Sequence, residues 1–302
     1  MNGLLVIDKP EGWTSHDVVA RTRSILKTKR IGHTGTLDPF ATGVIVVLVG
    51  GATRLAQFFD KDEKEYEALI QFGFETDTGD RTGTQITRST LSDEEIAERV
   101  NSADWNALFT DFRGEIQQIP PMYSAKKVEG KKLYELARKG LVTERPPVGI
   151  TIHKLEVSKS DESKESGSTF PIRVVCSAGT YIRTLAEDIG RKFGIGAHLT
   201  ELRRTRAGRF SLADSVSIED LSKADDPSSM LIDISRSVAH LPEFTLLPER
   251  IEKTRNGLST RVGNGGFSDK QIIRMIDDAG NLIAVGEYDS GENTIRPKIV
   301  LM

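Results

Sequence analysis

The run Val44-Ile45-Val46-Val47-Leu48-Val49, entered through Gly32-His33-Thr34-Gly35-Thr36-Leu37-Asp38-Pro39, restricts the fold more than any other stretch of the chain. Six consecutive apolar residues fit one buried strand and fall far short of the ~18 to 20 that a membrane span needs. The segment before them, with two glycines and a proline, reads as a loop. Other segments fill in the framework. Residues 4–7 form a short apolar strand ending at Asp8-Lys9-Pro10. Thr14 or Ser15 can cap a helix carrying Val18, Thr22, Ile25 and Leu26 on one face. Residues 66–74 alternate like a strand, and Ser92-Asp93-Glu94-Glu95 reads as a capping box. Residues 126–140 form a basic helix-and-loop segment. Residues 148–157 and 171–176 look like paired strands around a polar, mobile tract at 158–169. Thr180 can cap a helix burying Ile182, Leu185, Ala186, Ile189 and Phe193. Strands and helices mixed without a βαβ rhythm predict an α+β fold with a mixed sheet core, not a doubly wound sheet.

The 302 residues make about two domains on the length prior. From Pro242 onward, short strands at 272–276, 282–285 and 295–301 are separated by Gly, Asn and Asp turns, which predicts a small β domain of ~60 residues. The division expected is 1–238 and 239–302, with a basic insertion at about 123–147.

Composition excludes several chemistries. A single cysteine, Cys176, rules out an intramolecular disulfide framework and a thiolate-rich zinc site, and reads as a small core residue. The five histidines are scattered, and none forms a His-Glu-x-x-His pair. Residues 1–12 lack a signal-type apolar core, so a cytoplasmic protein is expected. The net charge of -3 gives no hint of nucleic acid, but local clusters do. Arg21, Arg23, Lys27, Lys29 and Arg30 form one. Lys126, Lys127, Lys131 and Lys132 lead a second, and Arg203, Arg204, Arg206 and Arg209 a third. Each alone reads as a solvated face; three beside glycine-rich segments point to a polyanion.

Asp38 stands between the glycine-rich loop and Pro39, against an apolar strand. A carboxylate there suits a nucleophile or base, although an Asp turn before proline fits the same spacing. Gly32-x-x-Gly35 lacks the remainder of a phosphate-binding P-loop. Asp77 and Asp80 lack the further ligands of a calcium loop. Gly179-Thr180-Tyr181-Ile182-Arg183 opens a helix after a strand, where Arg183 can reach a carboxylate or a phosphate. Beside Asp38 it would hold that carboxylate ionised; a plain structural ion pair fits equally.

Lys9-Pro10-x-Gly12-x-Thr14-Ser15, the block from Gly32 to Pro39 continued by Ala41-Thr42-Gly43, Lys64-x-Tyr66, Gln118-x-Pro120-Pro121-x-Tyr123-Ser124-Ala125 and Gly179 to Leu185 follow one another in this order. Together they resemble the TruB-type tRNA pseudouridine-55 synthases over almost all of residues 1–240, and the C-terminal segment resembles that family's PUA-type β domain. The resemblance implies an isomerase that detaches, turns and rejoins one T-loop uracil of tRNA, with no cofactor and no metal. It implies Asp38 as the nucleophile, Tyr66 stacked on the uracil and assisting proton removal, and Arg183 paired with Asp38. Tyr181 and Leu202 would line the pocket, and His33 would sit beside the emptied base stack. Lys9 and Pro10 would brace the loop holding Asp38. The basic clusters would hold phosphates of the T-arm. A monomer without an obligate protein partner is expected. A tRNA-binding chaperone without catalysis, and an RNA-guided synthase in a larger particle, are the rival readings.

Overall fold

Every residue of strand β3 (Thr42–Val49) after Thr42 is buried, because the strand is covered on both faces. In this computed structural model Val44, Val46 and Leu48 meet one hydrophobic cluster while Ile45, Val47 and Val49 meet another. The structure describes residues 1–124, 126–128, 130–137, 139–141, 143–158, 167–263 and 266–301. The tract expected to be mobile falls largely at 159–166, outside the described residues.

Among the described residues a ten-stranded mixed sheet forms the core. From one edge it runs Val216–Ser217, β1 (Gly3–Lys9), β3, Ala197–Ala207, β4 (Lys64–Phe72), Thr169–Cys176, Val148–Val157 and Gly114–Gln118. Most pairings are antiparallel, as the α+β expectation requires, with parallel contacts from β1 to Val216–Ser217 and from β3 to Ala197–Ala207. Strand β4 alternates strictly between buried and half-buried positions, so Lys64, Tyr66, Ala68, Ile70 and Phe72 share the covered face.

Helix α1 (Ser15–Leu26) packs Val18, Val19 and Leu26 on the Ile45–Val47–Val49 side of the sheet, and Thr14 closes a capping box with Asp17. Helix α2 (Asp93–Ser102), capped by Ser92, and α3 (Trp105–Phe109) lie over the β4 half. Within the basic insertion two short paired strands, Lys127–Val128 and Lys131–Lys132, precede α4 (Leu133–Ala137). Helix α5 (Ile182–Phe193) lies on the same side as α2 and buries Ile182, Leu185, Ala186 and Ile189.

Three expectations need correction. Residues 31–34 are not loop but strand β2 (Ile31–Thr34), antiparallel to β3. Thr180 does not cap α5: its hydroxyl donates to the Ser177 carbonyl, and Tyr181 occupies the N-cap without a side-chain bond. The C-terminal segment forms a five-stranded sheet but also carries the helix Pro248–Arg255. That sheet packs Ile276, Leu282, Val285, Ile299 and Leu301 on the Leu4–Val6–Val44–Val46 side. No described helix is long and apolar enough to cross a membrane.

Candidate active site

Strand β3 changes partner along its length. Its residues 46–49 pair with β2, whereas Thr42 and Gly43 pair with Arg203 and Arg204 of the next long strand. The sheet forks where the partners change, and Gly35 to Ala41 turn out through the fork carrying Asp38. Gly43 closes it: its φ is +101°, and a Cβ there would lie 2.2 Å from the Arg204 carbonyl oxygen.

Neighbouring groups fix the turn. The fully buried Lys9 Nζ donates to the carbonyls of Pro10 (3.0 Å), Trp13 (2.6 Å) and Pro39 (3.2 Å). Ser15 Oγ accepts from the Leu37 amide at 2.9 Å and the Gly12 amide donates to Pro39 O at 2.8 Å, so the start of α1 is tied to the Asp38 turn. The brace expected of Lys9 is present. Burial lowers its pKa to about 8, against the pull of Asp38.

Arg183 meets Asp38 from the opposite wall. Its Nε donates to Oδ2 at 2.8 Å and its Nη2 to Oδ1 at 3.1 Å, a bidentate grip. Further bonds to Thr78 O (2.7 Å) and Tyr123 O (2.8 Å) hold the guanidinium, only 4% exposed, in place. Asp80, 6% exposed, lies 3.8 Å from Arg183 Nε, so two carboxylates share one arginine. Sequence reasoning weighed Asp80 only as a calcium ligand. Its carboxylate instead accepts from the Thr78 hydroxyl and from the amide and hydroxyl of Thr82. Gln118 also escaped as a positioning group: its side-chain amide bonds both the N–H and the C=O of Tyr181 and so fixes the residue that opens α5.

The ion pair does not by itself set the charge state of Asp38. Burial pushes its carboxyl above the ordinary carboxylate range and Asp80 adds to this, while Arg183 and Lys9 oppose. The side chain still keeps 32% of its surface exposed, towards the cleft. A nucleophile held in a fixed direction and desolvated on its inner side is more basic than in water.

Tyr66 is 8% exposed and shares a cluster with Leu37, Phe40 and Leu202. Burial raises its phenol pKa, and the Arg204 guanidinium works the other way. Tyr181 is half-buried. His33 packs edge-on against His16 with ring centroids 5.9 Å apart, and its Nδ1 is buried without a partner. Burial lowers its pKa to about 4, helped by His16 and Arg204, so the ring is neutral at pH 7. Among the described residues no group of three His, Cys, Asp or Glu side chains could hold a metal.

The third basic cluster is corrected. Arg204, expected on phosphate, is 1% exposed and bonds Val44 O (2.7 Å) and Gly35 O (2.9 Å), so it cannot reach an RNA backbone. Arg203 is part-exposed and paired with Asp8 at 2.7 Å. In the insertion, Lys126 is half-buried and Lys131 exposed; the side chains of Lys127 and Lys132 lie outside the described set.

Comparison with known proteins places the chain in a family. Residues 23–182 match the model described as TruB family pseudouridylate synthase (N terminal domain), and residues 183–232 match the tRNA pseudouridylate synthase B C-terminal domain. A tRNA pseudouridine synthase B of Bacillus velezensis is 41% identical, covering 100% of this chain and 98% of the relative. Its counterpart in Geobacillus kaustophilus is 44% identical over 87% of this chain and 92% of its own length. Among solved structures, a Cbf5-Nop10-Gar1 complex has a chain that superposes with a TM-score of 0.72 at 26% identity, covering 99% of this chain and 85% of that one. An H/ACA RNP bound to a substrate RNA superposes at 0.71 and 25% identity, with the same coverage. By its matched models and its full-length relatives, the chain belongs to the TruB family of pseudouridylate synthases.

Proposed function

We infer that this chain converts uridine 55 in the T-loop of tRNA to pseudouridine. The observation that carries the reading is the Asp38 carboxylate, gripped bidentately by the buried Arg183 and left open on one side beside Tyr66. A uridine in a folded loop reaches such a carboxylate only after leaving the base stack, at a cost of a few kcal/mol. Stacking on Tyr66, with His33 entering the vacated stack, offsets roughly 1 to 3 kcal/mol per base. Asp38 then attacks or deprotonates the nucleoside, Tyr66 and Leu202 hold the uracil ring, and Tyr181 lines the pocket. No cofactor or metal takes part.

The T-arm backbone is held by Lys126, Lys127, Lys131 and Lys132 of the insertion, with Arg203 at the fork. Residues 1–238 act as the catalytic unit, and 239–302 as a PUA-like RNA-binding unit. The protein acts as a cytoplasmic monomer. No observation favours the chaperone reading or the RNA-guided one.

The decisive test is tritium release from carbon-5-labelled uridine in an isolated T-arm. Stoichiometric release supports the reading, and none refutes it. Because burial raises the Asp38 pKa and the reaction needs the ionised form, release should fall with acid at a pH above the ~3.9 of an ordinary aspartate. A limb at or below that value contradicts the assignment. Lys131→Glu combined with Lys132→Glu should weaken tRNA binding and reduce the slope of log affinity on log salt by about 1 to 2. An unchanged slope removes the insertion from the RNA contact.

A further inference from the structure

Arg204 is a buried cation with no acid beside it. Its neighbours on the strand are all paired: Arg203 with Asp8, and Arg206 with Glu63 and Glu65. Arg183 holds Asp38 and faces Asp80. Arg204, 1% exposed, has no carboxylate within ion-pair distance among the described residues; it donates to the carbonyls of Val44 and Gly35 and bonds the Tyr66 phenol. A guanidinium kept out of water without a counter-charge is costly, and neutral residues could stitch the fork.

Its position suggests a use. Arg204 is the cross-strand partner of Tyr66, on the same covered face, where opposed side chains stand about 5 Å apart. It also grips Gly35, three residues before Asp38. Its field is felt at His33 and Lys9, where burial lowers the pKa and Arg204 adds to the shift. The floor of the cleft under Tyr66 is thus electropositive, at a place separate from the Asp38–Arg183 pair.

We propose that Arg204 supplies the counter-charge for the uracil anion formed when the base is detached from ribose. In that step an Asp38 oxygen bonds to C1′, and the C1′–N1 bond breaks with its electron pair going to N1. Asp38 becomes a neutral ester and the uracil carries the negative charge over N1, O2 and O4. The charge leaves the side of Arg183 and arrives over Tyr66, where Arg204 meets it. C5 then attacks C1′ as the C1′–O bond breaks and its electron pair returns to Asp38; the C5 proton leaves to solvent and N1 takes one up, so the carboxylate is restored and charge balances. A cation that is uncompensated in the free enzyme and compensated only during reaction favours the activated state over the ground state. The proposal rests on the reading that the flipped uracil lies on Tyr66.

The test compares leaving groups. Single-turnover consumption of the target nucleoside is measured in T-arms carrying uridine or 5-fluorouridine, whose base is the more stable anion. Arg204→Gln should slow the uridine substrate by about 10²- to 10³-fold. The 5-fluorouridine substrate should suffer about tenfold less, with RNA affinity kept within several-fold. Arg204→Lys, which keeps a charge, should fall between wild type and Arg204→Gln. Equal slowing of the two substrates would mean a structural role only and overturns the proposal. Should the glutamine variant not fold, the lysine variant carries the test, because its ammonium can be titrated off. Uridine turnover should then drop at alkaline pH more steeply than 5-fluorouridine turnover, and parallel profiles overturn the proposal. Failure of the wild-type enzyme to consume uridine would instead refute the underlying function.

Discussion

Asp38→Asn is expected to reduce pseudouridine formation by at least about 10⁴-fold, to the limit of detection in a single turnover. Asparagine keeps the shape of the side chain, so the turn held by Lys9, Ser15 and Gly12 has no reason to move. Arg183 loses one carboxylate but retains Asp80 at 3.8 Å, which limits the damage to the fold. Affinity for tRNA, carried by contacts away from this oxygen, should remain within several-fold. Tritium release and a binding titration on the same preparation separate the two effects. Retained turnover would remove Asp38 from the chemistry; lost binding would make it an RNA contact.

Arg183→Gln should be damaging in a second currency, stability. The guanidinium makes four hydrogen bonds and sits between two carboxylates. Without it Asp38 and Asp80 face each other with no cation between them, and breaking a buried pair in this way costs about 3 to 5 kcal/mol. The loss should depend on pH with a definite sign. The Asp38 pKa, already raised by burial in the wild type, rises further when its cation goes. A carboxyl whose folded pKa lies above its unfolded one takes up its proton in the fold first, so acid relieves the strain. Urea unfolding should show a large deficit at pH 7.5 that shrinks as pH falls through the raised Asp38 pKa. A deficit independent of pH would assign the loss to the Thr78 and Tyr123 bonds instead. Turnover should vanish in either case.

The sequence carried much of this site in readable form. Apolar period and capping residues located β1, β3, β4, α1, α2 and α5, because each buries a regular face or opens on a side chain that bonds its own first turn. Asp38 and Arg183 were marked by local geometry, a turn against an apolar strand and the start of a helix. What escaped depends on partners distant in sequence. Strand β2 is four residues with Gly and His in it, and only pairing with β3 makes it a strand. The helix Pro248–Arg255 has five charged residues among its eight, starts from Leu247 without a side-chain cap, and buries only Thr254, so no period betrays it. The misreading of Arg204 is of the same kind. Four arginines in one short stretch look alike as letters, and for the three on the strand the register against β4 decides which points inward. Asp80 likewise gains its meaning from a helix about a hundred residues later.

The fork in the sheet has a bearing on how this protein can drift in length. Elsewhere the chain can lose or gain a residue at a surface bend without altering which side chains face one another. Between Thr34 and Thr42 it cannot, since both ends are registered on the same strand and Lys9 fastens the middle. A one-residue insertion there would swing the carboxylate away from its arginine and disturb the core only locally, at Leu37, Phe40 and Ala41. Such a variant would be a well-folded, inert protein, so in a deletion scan this arc should stand out as the stretch where solubility and activity part company.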